Sequence, residues 1–169
     1  ATEGLEDKEA SAIAKRWSQV EALVGADKRL ETVVADILQH FDARVQAIDG
    51  KAMIVCATRS IAARLYEAII ALRPDWHDDA DDKGRIKVVY TANPSDTAEI
   101  KKHMRRPSAT TAVKQRMKDP DDELEIVIVK DMMLTGFDAP ILYCQYLDKT
   151  LKEHTLLQVI TRTNRVYPP

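Results

Sequence analysis

The chain of 169 residues is poor in glycine, cysteine and aromatic residues. None of its five glycines belongs to a G-x-x-x-x-G-K-[ST] loop, so no segment is suited to cradle nucleotide phosphates. Cys56 and Cys144 lie in apolar runs and form no CxxC pair, which indicates two buried thiols in a reducing cytoplasm. No charged-then-apolar leader is visible, and no apolar run approaches the roughly 20 residues of a membrane helix. We therefore expect a cytoplasmic protein that makes no membrane contact.

An excess of charge of one sign is also lacking. The 25 Lys and Arg residues nearly balance the 27 Asp and Glu residues, and the formal net charge is −2. The net charge therefore gives no overall positive field that would attract nucleic acid, so any contact with nucleic acid must be local. One basic stretch consists of Lys101, Lys102, Arg105, Arg106, Lys114, Arg116 and Lys118. It is either a groove for the DNA backbone or a solvated helical face balanced by aspartates at 75–82. The four histidines have no metal-ligand spacing, and we predict no metal site.

Short apolar runs alternate with helical segments after residue 50. The predicted strands cover 52–57, 86–90, 124–129 and 141–147. The predicted helices cover 5–24, 28–48, 61–72, 95–104, 109–118 and 153–166, and a solvated loop with five aspartates covers 75–83. This alternation indicates an α/β fold with a mostly parallel sheet over 50–169, after a helical lead-in over 1–49. Ligands of such sheets bind beyond the carboxyl ends of the strands. That rule selects the loops at 57–60, 90–95 and 130–140.

The last predicted helix carries Gln158, Arg162 and Arg165 at spacing i, i+4 and i+7, which places them on one face. Arginine keeps its charge and presents a planar fork of donors. It is therefore suited to stabilise the charge that builds on a transferring phosphoryl group. The alternative is the solvated polar face of an amphipathic helix.

A second motif, Thr135-Gly136-Phe137-Asp138, follows the third predicted strand. Gly136 permits a tight backbone turn beside a ligand. The hydroxyl and amide of Thr135 are suited to a phosphate oxygen, and Asp138 to an arginine or a nucleotide hydroxyl. The alternative is a hairpin-like connection in which Asp138 caps the turn before Pro140.

Together the two motifs resemble motifs V and VI of superfamily 2 helicases and translocases, in which both lie in the second RecA-like domain. The runs 131–140, 146–149 and 157–167 resemble more specifically the R (motor and endonuclease) subunit of type I restriction enzymes. Residues 51–60 resemble motif IV of that subunit. The resemblance covers roughly residues 28–169. Many helicases have glycines in place of Thr161 and Asn164, and Thr150 stands where the restriction family is expected to have proline.

The resemblance implies a RecA-like three-layer domain with a role for each matching residue. Arg165 matches an arginine finger that reaches the γ-phosphate of ATP on the preceding domain, Arg162 its companion, and Gln158 the glutamine that opens the motif. Gly136 and Asp138 match the motif that couples nucleotide state to DNA grip. The family contacts the DNA backbone at the positions of Thr58, Arg59 and Thr135.

The resemblance also implies cofactors and partners. ATP and Mg²⁺ would be bound mainly by a first RecA-like domain outside this sequence. The partners would be double-stranded DNA, that domain and a nuclease domain of the same subunit, and methyltransferase and specificity subunits. Because the chain lacks a phosphate loop, we expect it to be inactive alone. The alternatives are the same domain of another superfamily 2 DNA or RNA helicase, and a stand-alone α/β nucleotide-binding or regulatory module.

Overall fold

The computed structural model describes residues 25–91, 93–133 and 137–149, together with positions 11, 15, 18, 19, 23, 156 and 157. In this part of the chain, helices and strands alternate as predicted. The helices are α1 (Asp27–Ala47), α2 (Arg59–Leu72), α3 (Ala98–Lys101) and α4 (Pro107–Arg116), with a 3₁₀ turn at Pro74–Trp76. The strands are β1 (Lys51–Cys56), β2 (Ile86–Val89), β3 (Ile126–Val129) and β4 (Leu142–Asp148). The predicted helices at 5–24 and 153–166 lie almost wholly outside the described residues.

The four strands form one parallel sheet in the order β2-β3-β1-β4. All residues of β1, β2 and β3 are buried. This explains why their sequences are nearly continuous apolar runs, since strands covered on both faces have no solvent side to carry polar residues. The predicted parallel α/β sheet is confirmed.

Alternate residues of the strands feed two separate cores. On one face, Ala52 and Ile54 of β1 pack with the buried stripes of α1 and α2. On the other face, Met53 and Val55 pack with Val113 of α4 and its neighbours. The domain therefore has three layers, helix–sheet–helix, as predicted. None of the helices in the described part of the chain has the length and apolar character needed to cross a bilayer.

The helix boundaries follow capping chemistry. The side chain of Thr58 accepts a hydrogen bond from the backbone N–H of Ile61 at 3.2 Å, which satisfies a donor that the first turn of α2 leaves unpaired. Pro107 occupies the first turn of α4, where its missing N–H costs nothing. The second of the two predicted short helices thus begins earlier than expected, and the first contains only four residues.

The aspartate-rich segment at 75–83 is not simply a solvated loop, because Trp76 is 1% exposed. Its ring packs edge-on against Phe41, and the guanidinium carbons of Arg73 and Arg85 lie 5.4 and 5.0 Å from its centroid. The 3₁₀ turn directs this ring into the core while the neighbouring aspartates stay near the surface. The loop prediction is therefore wrong at Trp76.

Two buried cations donate hydrogen bonds to backbone carbonyls of this segment and of Gly84 next to it. The ammonium of Lys87 donates to the carbonyls of Asp78 and Ala80, and Arg116 donates to the carbonyls of Asp81, Lys83 and Gly84. Burial lowers the pKa of Lys87. Arg116 is 7% exposed, so this member of the basic stretch belongs to the interior and not to a surface groove or a solvated face.

Candidate functional site at the carboxyl edge of the sheet

The strand order brings three loops together at one edge of the sheet. Because β1 lies between β3 and β4 and all strands are parallel, the segments that follow these strands emerge side by side. They begin at Ala57 after β1, Lys130 after β3 and Lys149 after β4. This is the edge where ligands of parallel sheets bind.

The loop after β1 is fastened to the loop after β2 through Arg59. Its guanidinium donates to both carboxylate oxygens of Asp96, at 2.6 and 2.8 Å, and to the carbonyl of Thr91 at 2.9 Å. Asp96 also accepts from the backbone N–H of Asn93. The structure thus joins two of the three predicted ligand loops. The side chain of Arg59 is 27% exposed, so a phosphate that reached it would share it with Asp96.

The loop after β3 has an unusual backbone conformation at Met133, two residues before the second motif begins. Met133 is buried and has φ of 67°, a left-handed conformation that non-glycine residues seldom adopt and that stores strain. Thr135 and Gly136 lie outside the described residues. Asp138 is exposed between the buried Phe137 and Ala139, at this same edge.

Asp131 links the loop after β3 to the end of β4. Burial opposes its ionisation, but hydrogen bonds from Lys130 and Lys149 outweigh burial and lower the pKa of its carboxyl. The Lys149 ammonium lies 2.6 Å from the carboxylate. Gln158, Arg162 and Arg165, which follow β4 in the sequence, lie outside the described residues, so their convergence with Asp138 stays a prediction.

Two further contacts at this edge were not predicted from the sequence. Asp148, at the end of β4, forms an ion pair with Arg29 of α1, and its side chain is 8% exposed. Asp96 holds Arg59 as described above. The paired residues lie 119 and 37 positions apart in the sequence, so no local pattern predicts either pair. The one available signal was an acidic residue close to the end of a strand.

A cleft of about 410 Å³ opens beyond the carboxyl ends of β2 and β3. Its lining is Tyr90, Thr91, Met104, Arg105, Pro107, Thr110, Thr111, Lys114 and Met132. The Tyr90 hydroxyl donates to the carbonyl of Ile100, which fixes that wall. Among the described residues, no group of three His, Cys, Asp or Glu side chains is placed to hold a metal ion.

Behind the Tyr90 wall, His103 packs edge-on against Tyr66 and Tyr90, with ring centroids 4.7 and 6.3 Å away. It is 6% exposed, and its Nε2 has no hydrogen-bond partner in the described structure. Burial, assisted by the charge of Arg105, lowers the pKa of His103 to about 4. The imidazole is therefore neutral in the folded protein at pH 7.

This burial predicts a loss of stability in mild acid. Between pH 6.5 and about 4 the unfolded chain binds a proton at His103 that the folded chain does not. The free energy of unfolding should therefore fall by about 3 kcal/mol across this window. Urea denaturation at intervals of pH measures it. His103→Phe keeps an aromatic ring there and should flatten the curve between pH 4 and 6.5. An unchanged slope in that variant would contradict the assignment.

The fold and this edge define the protein as a three-layer parallel α/β domain, and comparisons with known proteins give its family. Residues 90–169 match the family described as type I restriction enzyme subunit R domain 3. The HindI type I restriction enzyme endonuclease subunit of Haemophilus influenzae is 48% identical over 147 residues, covering 87% of this chain and 14% of that protein. The putative MjaIXP and MjaVIIP type I endonuclease subunits of Methanocaldococcus jannaschii are 36% and 33% identical, over 89% and 83% of this chain.

The chain belongs to the type I restriction enzyme R subunits, as the motif residues predicted. It spans about 14% of the length of these curated relatives. The family match at 90–169 includes the loop after β3 and the segment that holds Gln158, Arg162 and Arg165. The roles of individual residues stay predictions.

Proposed function

We propose that this chain is the second RecA-like motor domain of a type I restriction R subunit. It would supply motifs IV, V and VI to ATP hydrolysis coupled to translocation of double-stranded DNA. The observation that carries the proposal is the strand order β3-β1-β4, which brings the carboxyl ends of the three strands that lead into the three motif segments to one edge. A single ligand-facing surface can then use all three.

The nucleotide would be shared with another domain. Arg165, with Arg162 and Gln158, would face the γ-phosphate across a cleft, and Gly136 and Asp138 would border it. Because this sequence has no G-x-x-x-x-G-K-[ST] loop, Mg²⁺ and most phosphate contacts would belong to the first RecA-like motor domain. When ATP is bound there, the arginines stabilise the charge that develops on the transferring phosphoryl group.

DNA would run along the same edge. Thr58, Arg59 and Thr135 would contact its backbone, with sequence-independent and salt-dependent affinity. The two hydrogen bonds from Arg59 to Asp96 support this role because they hold the guanidinium in one orientation at the edge. Contacts of this kind fix register on the duplex without reading bases.

The family membership supports a proposal for the rest of the assembly. A nuclease domain of the same subunit would cut DNA, and methyltransferase and specificity subunits would recognise the site, in the cytoplasm. The endonuclease-subunit names of the relatives favour this function over a different superfamily 2 helicase. Their much greater length favours a part of a larger motor over a stand-alone α/β module.

The first test uses the chain by itself. Purified alone, it should show no Mg²⁺-dependent ATP turnover above background, because it lacks a phosphate loop. The complete R subunit, assayed in parallel with DNA, serves as the positive control. Turnover by the isolated chain that Arg165→Ala abolishes would refute the shared-site proposal.

A further inference from the structure

The basic stretch at 101–118 separates into two groups in the structure. Lys102, Arg105 and Arg116 form ion pairs with Glu67, Asp81 and Asp122, respectively. The other group has no acidic partner among the described residues and consists of Lys101, Arg106, Lys114 and Lys118. Within this second group, Lys114 is the member that lines the 410 Å³ cleft.

The cleft combines one available positive charge with hydroxyl groups and apolar surface. Lys114 lies on α4 one turn beyond Thr110, and Thr91 faces them from the end of β2. Arg105 also lines the cleft, but its guanidinium is committed to Asp81 and to the carbonyl of Val88. Of the two described cations that line the cleft, Lys114 is therefore the one without a described acidic partner and the one that we assign to a ligand.

The apolar part of the lining comes from Met104, Pro107 and Met132. Met104 is 56% exposed, so its side chain is accessible to a ligand in the cleft. Methionine side chains adapt their shape to a ligand because they are unbranched and polarizable. A flat or irregular apolar group could thus lie against them beside the charged end of the cleft.

The cleft also adjoins the proposed DNA track. Thr91, which lines it, gives its carbonyl to Arg59, and Met132 belongs to the loop after β3. A strand that passed Arg59 along the carboxyl edge would therefore reach the cleft next. The volume of the cleft, about 410 Å³, falls within the range of pockets that bind small organic groups, about 300–1,000 Å³.

We propose that this cleft is a subsite for one nucleotide of the DNA strand, an inference that rests on the proposed function. The phosphodiester, with its single negative charge, pairs with Lys114 and accepts hydrogen bonds from Thr110 and Thr91. The deoxyribose of that nucleotide packs against Met104 and Pro107, while its base stays stacked and paired in the duplex. A phosphodiester and a peptide carboxylate both match the charge of Lys114, but the position of the cleft beside Arg59 on the proposed DNA track favours the phosphodiester.

The test measures how duplex affinity depends on salt in the complete R subunit. Each phosphate contact adds about 0.9 to the slope of log Kobs against log salt. Lys114→Met should lower this slope by about that amount on non-specific duplex DNA. Lys83→Met removes an exposed lysine at the opposite, amino end of β2 and should leave it unchanged. Thr110→Trp, which fills the cleft without changing charge, should weaken binding at every salt concentration.

Two results would overturn the subsite. One is an unchanged slope in Lys114→Met when thermal melting shows that the variant is folded. The other is a duplex affinity that the folded Thr110→Trp variant leaves unchanged. Failure of the motor proposal is separable, because it is read from ATP turnover in Arg165→Ala. If that variant hydrolyses ATP normally while Lys114→Met lowers the slope, the DNA subsite stands and the arginine-finger part of the motor proposal falls.

Discussion

Replacing Arg165 with alanine is expected to reduce ATP turnover by the complete R subunit by about 10³- to 10⁵-fold. In the proposed role of Arg165, the substitution removes a guanidinium whose charge counts most in the transition state, when negative charge builds on the transferring phosphoryl group. Most of the loss should therefore appear in kcat, with a smaller change in KM for ATP. Turnover of Mg²⁺-ATP in the presence of duplex DNA measures both constants.

Thr163→Ala is the matched control for Arg165→Ala. In the helix predicted at 153–166, residue 163 would point away from the face shared by Gln158, Arg162 and Arg165. The control should keep normal turnover, and both variants should keep the DNA affinity of the unmodified subunit. A drop of less than tenfold in Arg165→Ala would reject the arginine-finger role. An equal drop in both variants would show that the helix tolerates no change and would also reject a specific role.

Removing the buried cation at position 116 is expected to cost about 3–5 kcal/mol of unfolding free energy. The side chain of Arg116 is 8% exposed and pairs with the carboxylate of Asp122. It also donates to the backbone carbonyls of Asp81, Lys83 and Gly84. Arg116→Met keeps a long apolar stem but leaves the carboxylate and the carbonyls without their cation, and each then carries a desolvation cost.

Urea denaturation of the isolated chain measures this cost, with Lys102→Met as the control. Lys102 pairs with Glu67 at the surface, where the two side chains are 53% and 42% exposed. Loss of such a pair costs at most about 1 kcal/mol. If the two variants lost equal stability, the contacts of Arg116 with Asp122 and the three carbonyls would contribute no more to the free energy of unfolding than a surface ion pair. If Arg116→Met also changed the m-value, the comparison would have to use kinetic unfolding rates instead.

The elements themselves were predictable because their signals are local. The apolar runs that became β1 to β4 and the helical spacing of Leu30, Val34 and Leu38 in α1 need only neighbouring residues to be recognised. Thr58 was predictable as a cap for the same reason. Boundaries were less accurate: β3 begins at Ile126, two residues later than predicted. Such differences arise because the register against β1 and β2, and not the apolar run alone, decides which residues pair.

The candidate site was predictable only in part. Sequence patterns selected Thr58, Arg59 and Asp138 and the three loops that carry ligands in parallel sheets. They could not show that Asp96 holds Arg59 or that Lys114 borders a cleft, since both depend on segments distant in sequence. The basic stretch illustrates the same limit, because its seven cations look alike in sequence although Arg116 is buried and Lys114 faces the cleft.

By itself the sequence determined the α/β class, the parallel sheet and the family, because periodicity and motif spacing are properties of short segments. The tertiary structure alone decided the strand order, the burial of Trp76 and Arg116, and the joining of the β1 and β2 loops through Arg59 and Asp96. These features come from burying both faces of the sheet at once and from pairing every charge that burial removes from water. Both requirements act between segments that only the fold brings into contact.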